Sequence, residues 1–230
     1  MAKQTKHVPF KIYRKGQEVT DAALKAQFGD RYREVLGERL KQHPKKGKER
    51  PKYTVQADLP DTKGEYDRMQ QKQFTTTVEA LISDAFSEIE SLAEEMREAF
   101  ENTPESLQGS GAGEARGEAA DNLESLHSDQ PDIPDICTEI EVYFLPAKDT
   151  SSRAKRASAV QDMLSSAAGE IRSFIENYEK DEEEGKEVKE GEEGEEKKEA
   201  PDMDELESLA DKLEEIGEEV GGITFPGMYG

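Results

Sequence analysis

From Val78 to Phe100 the apolar residues fall at steps of three and four: Val78, Leu81, Ile82, Ala85, Phe86, Ile89, Leu92, Ala93, Met96 and Phe100. That spacing stacks them on one face of a helix with about 3.6 residues per turn. Glu79, Asp84, Glu88, Glu90, Glu94, Glu95 and Glu98 take the opposite, solvated face. Thr76, with Glu79 three residues on, fits a capping box, and Thr77 is a competing N-cap. Asn102-Thr103-Pro104 closes the helix, because proline disfavours a helical conformation in the residue before it. Residues 65–73, EYDRMQQKQ, extend the pattern backwards. The expectation is one continuous element from near Glu65, with Thr75–Thr77 inside it at some cost in propensity.

The same reading predicts the other elements. Residues 7–19 alternate apolar and basic positions (Val8, Phe10 and Ile12 against His7 and Lys11), which predicts an edge strand. Thr20 or Asp21 then caps a helix with Ala23, Leu24, Phe28, Tyr32, Val35, Leu36 and Leu40 on its apolar face. Lys41–Lys52, KQHPKKGKERPK, has no apolar residue and reads as a solvated basic linker. Tyr53, Val55 and Ala57 predict a short strand. Beyond the long helix, Gly109, Gly111 and Gly113 mark a flexible joint. Ala115, Ala119, Leu123 and Leu126 then form the stripe of a second helix, folded antiparallel onto the first. Pro131 and Pro134 mark an extended connector. TEIEVYFL, residues 138–145, is the clearest strand, with Ile140, Val142 and Phe144 on one face. A third long helix runs from Ser151 to about Tyr178, with Ala157, Val160, Met163, Leu164, Ala167, Ile171, Phe174, Ile175 and Tyr178 on one side. Arg153, Lys155 and Arg156 sit at the end where the helix dipole disfavours cations, so they need a partner, and the acidic helix 75–100 is the nearest in chemistry. Residues 179–200 are a low-complexity Glu/Lys run read as a disordered linker. Met203, Leu206, Ala210, Leu213, Gly217 and Val220 then form a heptad seam, too short for a coiled coil by itself.

Composition sharpens this picture. The 230 residues are 33% hydrophobic and 37% charged. The apolar share is below the roughly 45–50% of globular domains and the charged share above the usual quarter, so the ordered core is smaller than the length suggests. The net charge of -22 is unevenly placed: residues 1–52 carry 15 Lys/Arg against 6 Asp/Glu, and the remainder 16 against 47. A basic arm on an acidic body can bind polyanions, its own body, or a neighbouring copy. One cysteine, Cys137, excludes an intrachain disulfide and suits a reducing compartment. No apolar run is long enough to span a membrane, and the N-terminus lacks the apolar core of a secretory signal, so a cytoplasmic location and no membrane partner are expected.

The candidate chemistry is sparse. His7, His43 and His127 are far apart, and none pairs with another or with Cys137 at a ligand spacing, so no metal is expected. The Glu-rich tract lacks the geometry of a built calcium loop. GSGAGEARGE resembles a phosphate cradle but follows no strand and precedes no Lys-Ser/Thr. There is no nucleophile elbow and no cysteine in a basic neighbourhood. The expectation is a protein without catalytic residues or cofactor. Two interaction segments stand out. Lys41, Lys45, Lys46, Lys48, Arg50 and Lys52, with Tyr13, Tyr32 and Tyr53 nearby in sequence, suit phosphate binding with little sequence preference. Ile223, Phe225, Met228 and Tyr229 form a terminal aromatic peptide that could capture a partner or dock back on the chain's own helices. Mimicry of DNA by the acidic body would need rigid rows of carboxylates, which the Glu-rich tract does not suggest.

Phe100–Leu126 resembles small uncharacterised acidic helical proteins of bacteriophages and mobile elements. In those, an acidic helix is followed by an N-x-P-E-x-L-Q turn and an E-x-A-x-x-x-L-E helix. The matching residues are Asn102, Pro104, Glu105, Leu107, Gln108, Glu118, Ala119, Leu123 and Glu124, about a tenth of the chain. The resemblance implies a phage source and a helical hairpin, and no site residues.

The sequence thus predicts a mainly helical α+β protein. Long amphipathic helices form a hairpin or bundle, with a small sheet built from the strands near Val8 and Val142 and also Val55. The expected divisions are a basic segment (1–52), an acidic helical body (53–178), a linker (179–201) and a tethered helix with its peptide (202–230). The expected function is a protein–protein interaction or assembly factor acting through the helices and tail, with self-association through the Val78–Phe100 stripe. The alternative is a nucleic-acid-binding protein using residues 1–52.

Overall fold

The computed structural model describes residues 10–44, 47, 50–183 and 201–226. It is a mainly helical α+β fold. Contacts divide the chain into two units, residues 1–74 and 75–230. The expected border between residues 52 and 53 runs through a strand of the first unit.

In that unit β1 (Glu18–Thr20), β2 (Leu40–Gln42) and β3 (Lys52–Val55) form an antiparallel sheet in the order β1-β3-β2. Helices α1 (Asp21–Phe28) and α2 (Tyr32–Leu36) lie between β1 and β2 in the chain, and α3 (Lys63–Phe74) follows β3. The single helix expected from Thr20 to Leu40 is therefore two helices, a 3-10 turn (Gly37–Arg39) and a strand. The break is set at Gly29. Its φ of +77° is open to glycine and strained for other residues, and its N–H closes α1 on the Lys25 carbonyl at 3.0 Å. Thr20 is the N-cap, its hydroxyl accepting from the Ala23 N–H.

Among the described residues of the strand expected over 7–19, residues 10–17 are not strand and β1 begins at Glu18. Val8 lies outside the described residues, Ile12 is 48% exposed, and Tyr13 is buried instead. A turn at Lys15–Gly16 rephases the chain before β1, and Tyr13 is held by its carbonyl, which accepts from the Leu59 N–H at 3.2 Å. The unit has its own core: Val19, Tyr53 and Val55 from the sheet, Leu24, Phe28, Tyr32, Val35 and Leu36 from the helices, and Tyr13, Leu59 and Tyr66 around them. Phe28 is its aromatic hub, with ring centroids 5.2 Å from Phe10 and 4.9 Å from Tyr66.

The second unit begins with a correction. Thr75–Thr77 does not continue a helix. It forms β4, antiparallel to β5 (Glu141–Tyr143), and the Val78 N–H donates to the Ile140 carbonyl at 2.9 Å. Three β-branched residues in a row suit a strand, and a partner strand was available. The one small sheet expected from strands near Val8, Val55 and Val142 is thus two sheets in two units. Thr77, rather than Thr76, caps α4 (Val78–Glu101), its hydroxyl accepting from the Ala80 N–H at 3.2 Å.

Helices α4, α6 (Gly111–Ser128), α7 (Arg153–Glu183) and α8 (Met203–Gly222) pack in a closed ring, α4 against α6 and α7, and α8 against α7 and α6. Each neighbouring pair runs antiparallel. Arg97 meets Asp121 and Glu124 while Phe100 lies against Gly117; Arg172 meets Asp211 and Glu214 while Gly217 lies against Leu164. Residues 129–152 make a crossover through β5, so α6 and α7 run parallel on opposite corners.

The expected flexible joint is instead ordered. A short α5 (Glu105–Gln108) precedes α6, Ser110 caps α6, and Gly113 lies so close to the Leu107 and Gln108 carbonyls that a Cβ there would sit 2.4 Å from both oxygens. The apolar stripe of α4 is covered within the chain: Val78, Ile82, Ala85, Ile89, Leu92 and Met96 are fully buried. The open face on which self-association was expected is absent among these residues.

The C-terminal helix is not a tethered accessory. Leu206, Leu209, Ala210, Leu213, Ile216 and Val220 are buried in the same core as α4, so the seam read from residues 203–220 packs inside the chain. Leu213→Ala is accordingly expected to lower stability by about 2–5 kcal/mol in urea unfolding, the range for a buried leucine. The 53%-exposed Leu107, replaced by Ala, should change it by less than about 0.5 kcal/mol. Equal small effects would return α8 to the role of an appendage.

Candidate nucleic-acid interface

The two units differ in charge. Residues 1–74 carry 18 Lys/Arg and 10 Asp/Glu; residues 75–230 carry 13 and 43. In the acidic unit the few cations are tied down at helix seams. Arg97 Nε and Nη2 hold Glu124 at 2.7 and 2.6 Å, joining α4 to α6. Arg153 donates to Glu95 at 3.0 Å, and Arg156 to Glu88, Glu95 and the Ser91 hydroxyl, joining α7 to the acidic α4, the partner that the sequence predicts for these cations. Lys155 instead turns to Asp149 at 2.6 Å. Arg172 joins α7 to α8 and Lys212 joins α8 to Asp129 beyond α6. Burial raises the Glu95 carboxyl pKa, but the hydrogen bonds from Arg156 and Arg153 outweigh it and hold the group below its ordinary value.

The basic segment of the first unit is arranged differently. Lys41 lies in β2 and Lys52 in β3, and the His43 N–H donates to the Lys52 carbonyl at 2.9 Å. The ends of the expected linker are therefore strands of a hairpin. Lys41, Arg50 and Lys52 are exposed, and among the described residues none of them forms an ion pair. Lys45, Lys46 and Lys48 lie outside the described residues. Strand alternation puts Lys41 and Lys52 on the sheet face opposite Tyr53.

Beside the hairpin base sits a network that sequence reasoning missed. Arg33, in α2, donates from Nη2 to Asp21 Oδ1 at 2.6 Å and from Nε to the Tyr32 hydroxyl at 3.0 Å. Tyr32 in turn donates to Asp21. The guanidinium lies over the Tyr32 and Tyr53 rings, 5.6 and 5.7 Å from their centroids. The Asp21 N–H donates to the Pro51 carbonyl at 3.0 Å, which ties the start of α1 to the hairpin. Burial alone would raise the Asp21 carboxyl pKa; the hydrogen bonds from Tyr32 and Arg33 reverse that and hold it below its ordinary value. Burial, then the bond to Asp21, push the Tyr32 hydroxyl well above its ordinary value. The Tyr53 hydroxyl is buried without a hydrogen-bond partner among the described residues. Tyr13, Tyr32 and Tyr53, which lie near the basic cluster in sequence, are all core residues at 6% exposure or less.

No protein-family model matches the chain, and no curated protein or solved structure is significantly similar to it.

The remaining candidates can be placed. Ile223 and Phe225 are partly buried against the core of the second unit; Met228 and Tyr229 lie outside the described residues. A cavity of about 400 Å³ is lined by Glu118, Asn122 and Ser125 of α6 with Glu219, Ile223 and Thr224. Ala115, Ala119 and Leu126 complete its apolar lining, and none of its lining residues is cationic. Cys137 is fully buried, and burial, then Glu79 and Glu205, push its thiol up to about 11. Among the described residues no group of three or more His, Cys, Asp or Glu is arranged to hold a metal ion, and no helix is long and apolar enough to cross a membrane.

Two tests address the network. Tyr32→Phe, which removes a buried donor to a carboxylate, is expected to lower stability by about 1–3 kcal/mol; Tyr53→Phe, which removes an unsatisfied hydroxyl, is expected to be neutral or stabilising. Urea unfolding of both variants checks the contrast. The second test is pH. A carboxyl whose folded pKa is depressed contributes stability above its unfolded pKa, about 3.9 for Asp, and loses it as pH falls through the lower folded value. Asp21→Asn should therefore be less stable than the wild type near neutral pH, and the gap should narrow below about pH 4. A gap independent of pH would place the effect elsewhere.

Proposed function

We propose that the protein is a non-enzymatic nucleic-acid-binding protein and that its first unit makes the contact. The observation that carries this is the display of Lys41, Arg50 and Lys52, exposed and free of ion pairs among the described residues, on a β-hairpin that directly follows two helices joined by a three-residue turn. Cations that are not neutralised internally are the ones that release counterions from a polyanion. Two short helices and a turn, with the second helix leading into the hairpin, is a common way to present side chains to a nucleic-acid groove. The likeness is one of element order and supplies a mode of approach only.

An assembly factor acting through amphipathic helices and a tail peptide would use surfaces that are occupied: the apolar faces of α4 and α8 are in the core, and Ile223 and Phe225 pack against it. The acidic unit shapes the binding in another way. Its charge opposes non-specific accumulation of the chain on a polyanion, so productive contact depends on the first unit being placed correctly. The proposed setting is the cytoplasm.

Fluorescence anisotropy of the full chain with a mixed-sequence nucleic-acid duplex, titrated at several salt concentrations, tests the reading. Affinity is expected to fall steeply with salt. The triple variant Lys41→Gln/Arg50→Gln/Lys52→Gln should flatten the slope of log affinity on log salt by about 2–3. No binding in about 50 mM salt, or a slope the triple variant leaves unchanged, would overturn it.

A further inference from the structure

We infer that the binding unit is built for duplex DNA and that Arg33 is a second phosphate contact, held ready by Asp21, which engages one edge of its guanidinium and leaves the other for a phosphate. This rests on the nucleic-acid reading above and adds a residue, a ligand class and a device to it.

Three observations converge on one edge of the unit. First, the start of α1, the start of α2 and the base of the hairpin meet there. Asp21 bonds the Pro51 carbonyl through its N–H and binds Arg33 through its carboxylate, and Thr20 pairs with Lys52 across the β1–β3 ladder. Second, Arg33 is half-exposed, at 50%, while Asp21 is mostly covered, at 16%. A mostly buried carboxylate holding one edge of a half-exposed guanidinium leaves the other edge toward water. Nε and Nη2 are engaged, and Nη1 carries no hydrogen bond among the described residues. The bonds of Nε and Nη2 hold the guanidinium in place beside the Tyr32 and Tyr53 rings, so its orientation is set before a ligand arrives. Third, Arg33 stands on the helix side of the sheet, above Tyr53, whereas Lys52 and Lys41 point from the other face. The cations therefore bracket the hairpin instead of forming one row.

That arrangement favours a duplex. Phosphates of two strands flank a groove, and contacts on both sides of an inserted element fix register. A single strand is instead gripped by aromatic platforms on which bases stack. In this unit Tyr13, Phe28, Tyr32, Tyr53 and Tyr66 are all buried.

Asp21 makes the assignment testable, because it predicts opposite signs for two neighbours. Phosphate and Asp21 compete for one guanidinium and repel each other. Arg33→Gln should weaken binding of the full chain to a 24-base-pair DNA duplex by about 3–10-fold near 0.1 M salt, and lower the salt slope by about 1. Asp21→Asn should tighten it by about 2–5-fold without lowering the slope. Arg33→Lys keeps the charge but loses the fork, so it should keep the slope while weakening binding. A merely structural role would make the Arg33 and Asp21 variants shift binding in the same direction, in step with their unfolding midpoints measured alongside.

The same strand unpaired and an RNA duplex of the same sequence complete the set. Wild-type binding that is lost in the hairpin triple variant but untouched in Arg33→Gln would overturn the role of Arg33 and leave the nucleic-acid reading standing. Tighter binding to the single strand or to RNA would overturn the DNA assignment. No binding of the wild-type chain to any of the three would remove both readings.

Discussion

The acidic unit depends on burying the apolar face of α4. That face is nine residues deep from Val78 to Met96, and no single neighbour can cover it. Helix α6 takes one flank, α7 the other, and α8 closes the ring behind them. The chain order follows from this demand. Because α6 returns to the start of α4, the next segment must travel the length of α4 again before α7 can descend on its other side. The strand pair β4–β5 pins that crossover at the point where α4 begins. Burial of this kind is the dominant favourable term in folding, and here it works against a large surplus of like charge.

The surplus explains where the cations go. With 13 Lys/Arg against 43 Asp/Glu in residues 75–230, the unit has few to place, and Arg97, Arg153, Arg156, Arg172 and Lys212 stand where two helices meet. An exposed ion pair contributes about 0–1 kcal/mol, so these bridges do not hold the bundle together. Their effect is on arrangement: a carboxylate-rich helix face turned toward another acidic helix without an arginine between them would be repelled. Arg156, with Glu88, Glu95 and Ser91 around it, is the most enclosed instance. The basic unit makes the opposite choice. Its Asp21–Arg33 pair is buried on the acid side only, and Lys41 and Lys52 are left to solvent.

Much of this was legible in the sequence because it is written in periodicity. The stripe of α4 from Val78 to Met96, Ala119, Leu123 and Leu126 of α6, the inward residues Ile140 and Val142, and the seam Leu206–Val220 all reappear as buried positions. What failed was context. Periodicity cannot tell whether an apolar face is covered by the same chain, so α8 read as a tether and α4 as an open surface. Continuity of the pattern from Glu65 placed Thr75–Thr77 inside a helix against their own propensity, since the strand that claims them lies more than sixty residues away in the chain. Glycine was misread in both directions: Gly29 breaks a helix that the apolar pattern continued, and Gly113, taken for a hinge, is a close-packed first turn. The basic cluster was visible as composition. The Asp21–Tyr32–Arg33 network was not, because nothing in the spacing of a helix-initial aspartate and an arginine twelve residues later announces that a tight turn will bring them together.

That turn also decides what the tyrosines do. In the sequence, Tyr13, Tyr32 and Tyr53 are only neighbours of a basic cluster expected to bind phosphates. In the fold, Tyr32 and Tyr53 cross edge to face, 5.8 Å between centroids, and become the floor under a guanidinium. The same residues thus act from within the core, a role that their place in the sequence does not show. A floor of buried rings cannot receive bases, but it can hold a cation at fixed height and tilt, which is what a rigid phosphate lattice rewards and a flexible single strand does not. The acidic unit reinforces the distinction. Under the proposed function, a chain whose larger unit repels polyanions would gain little from loose positive charge and more from contacts whose geometry is set before the encounter.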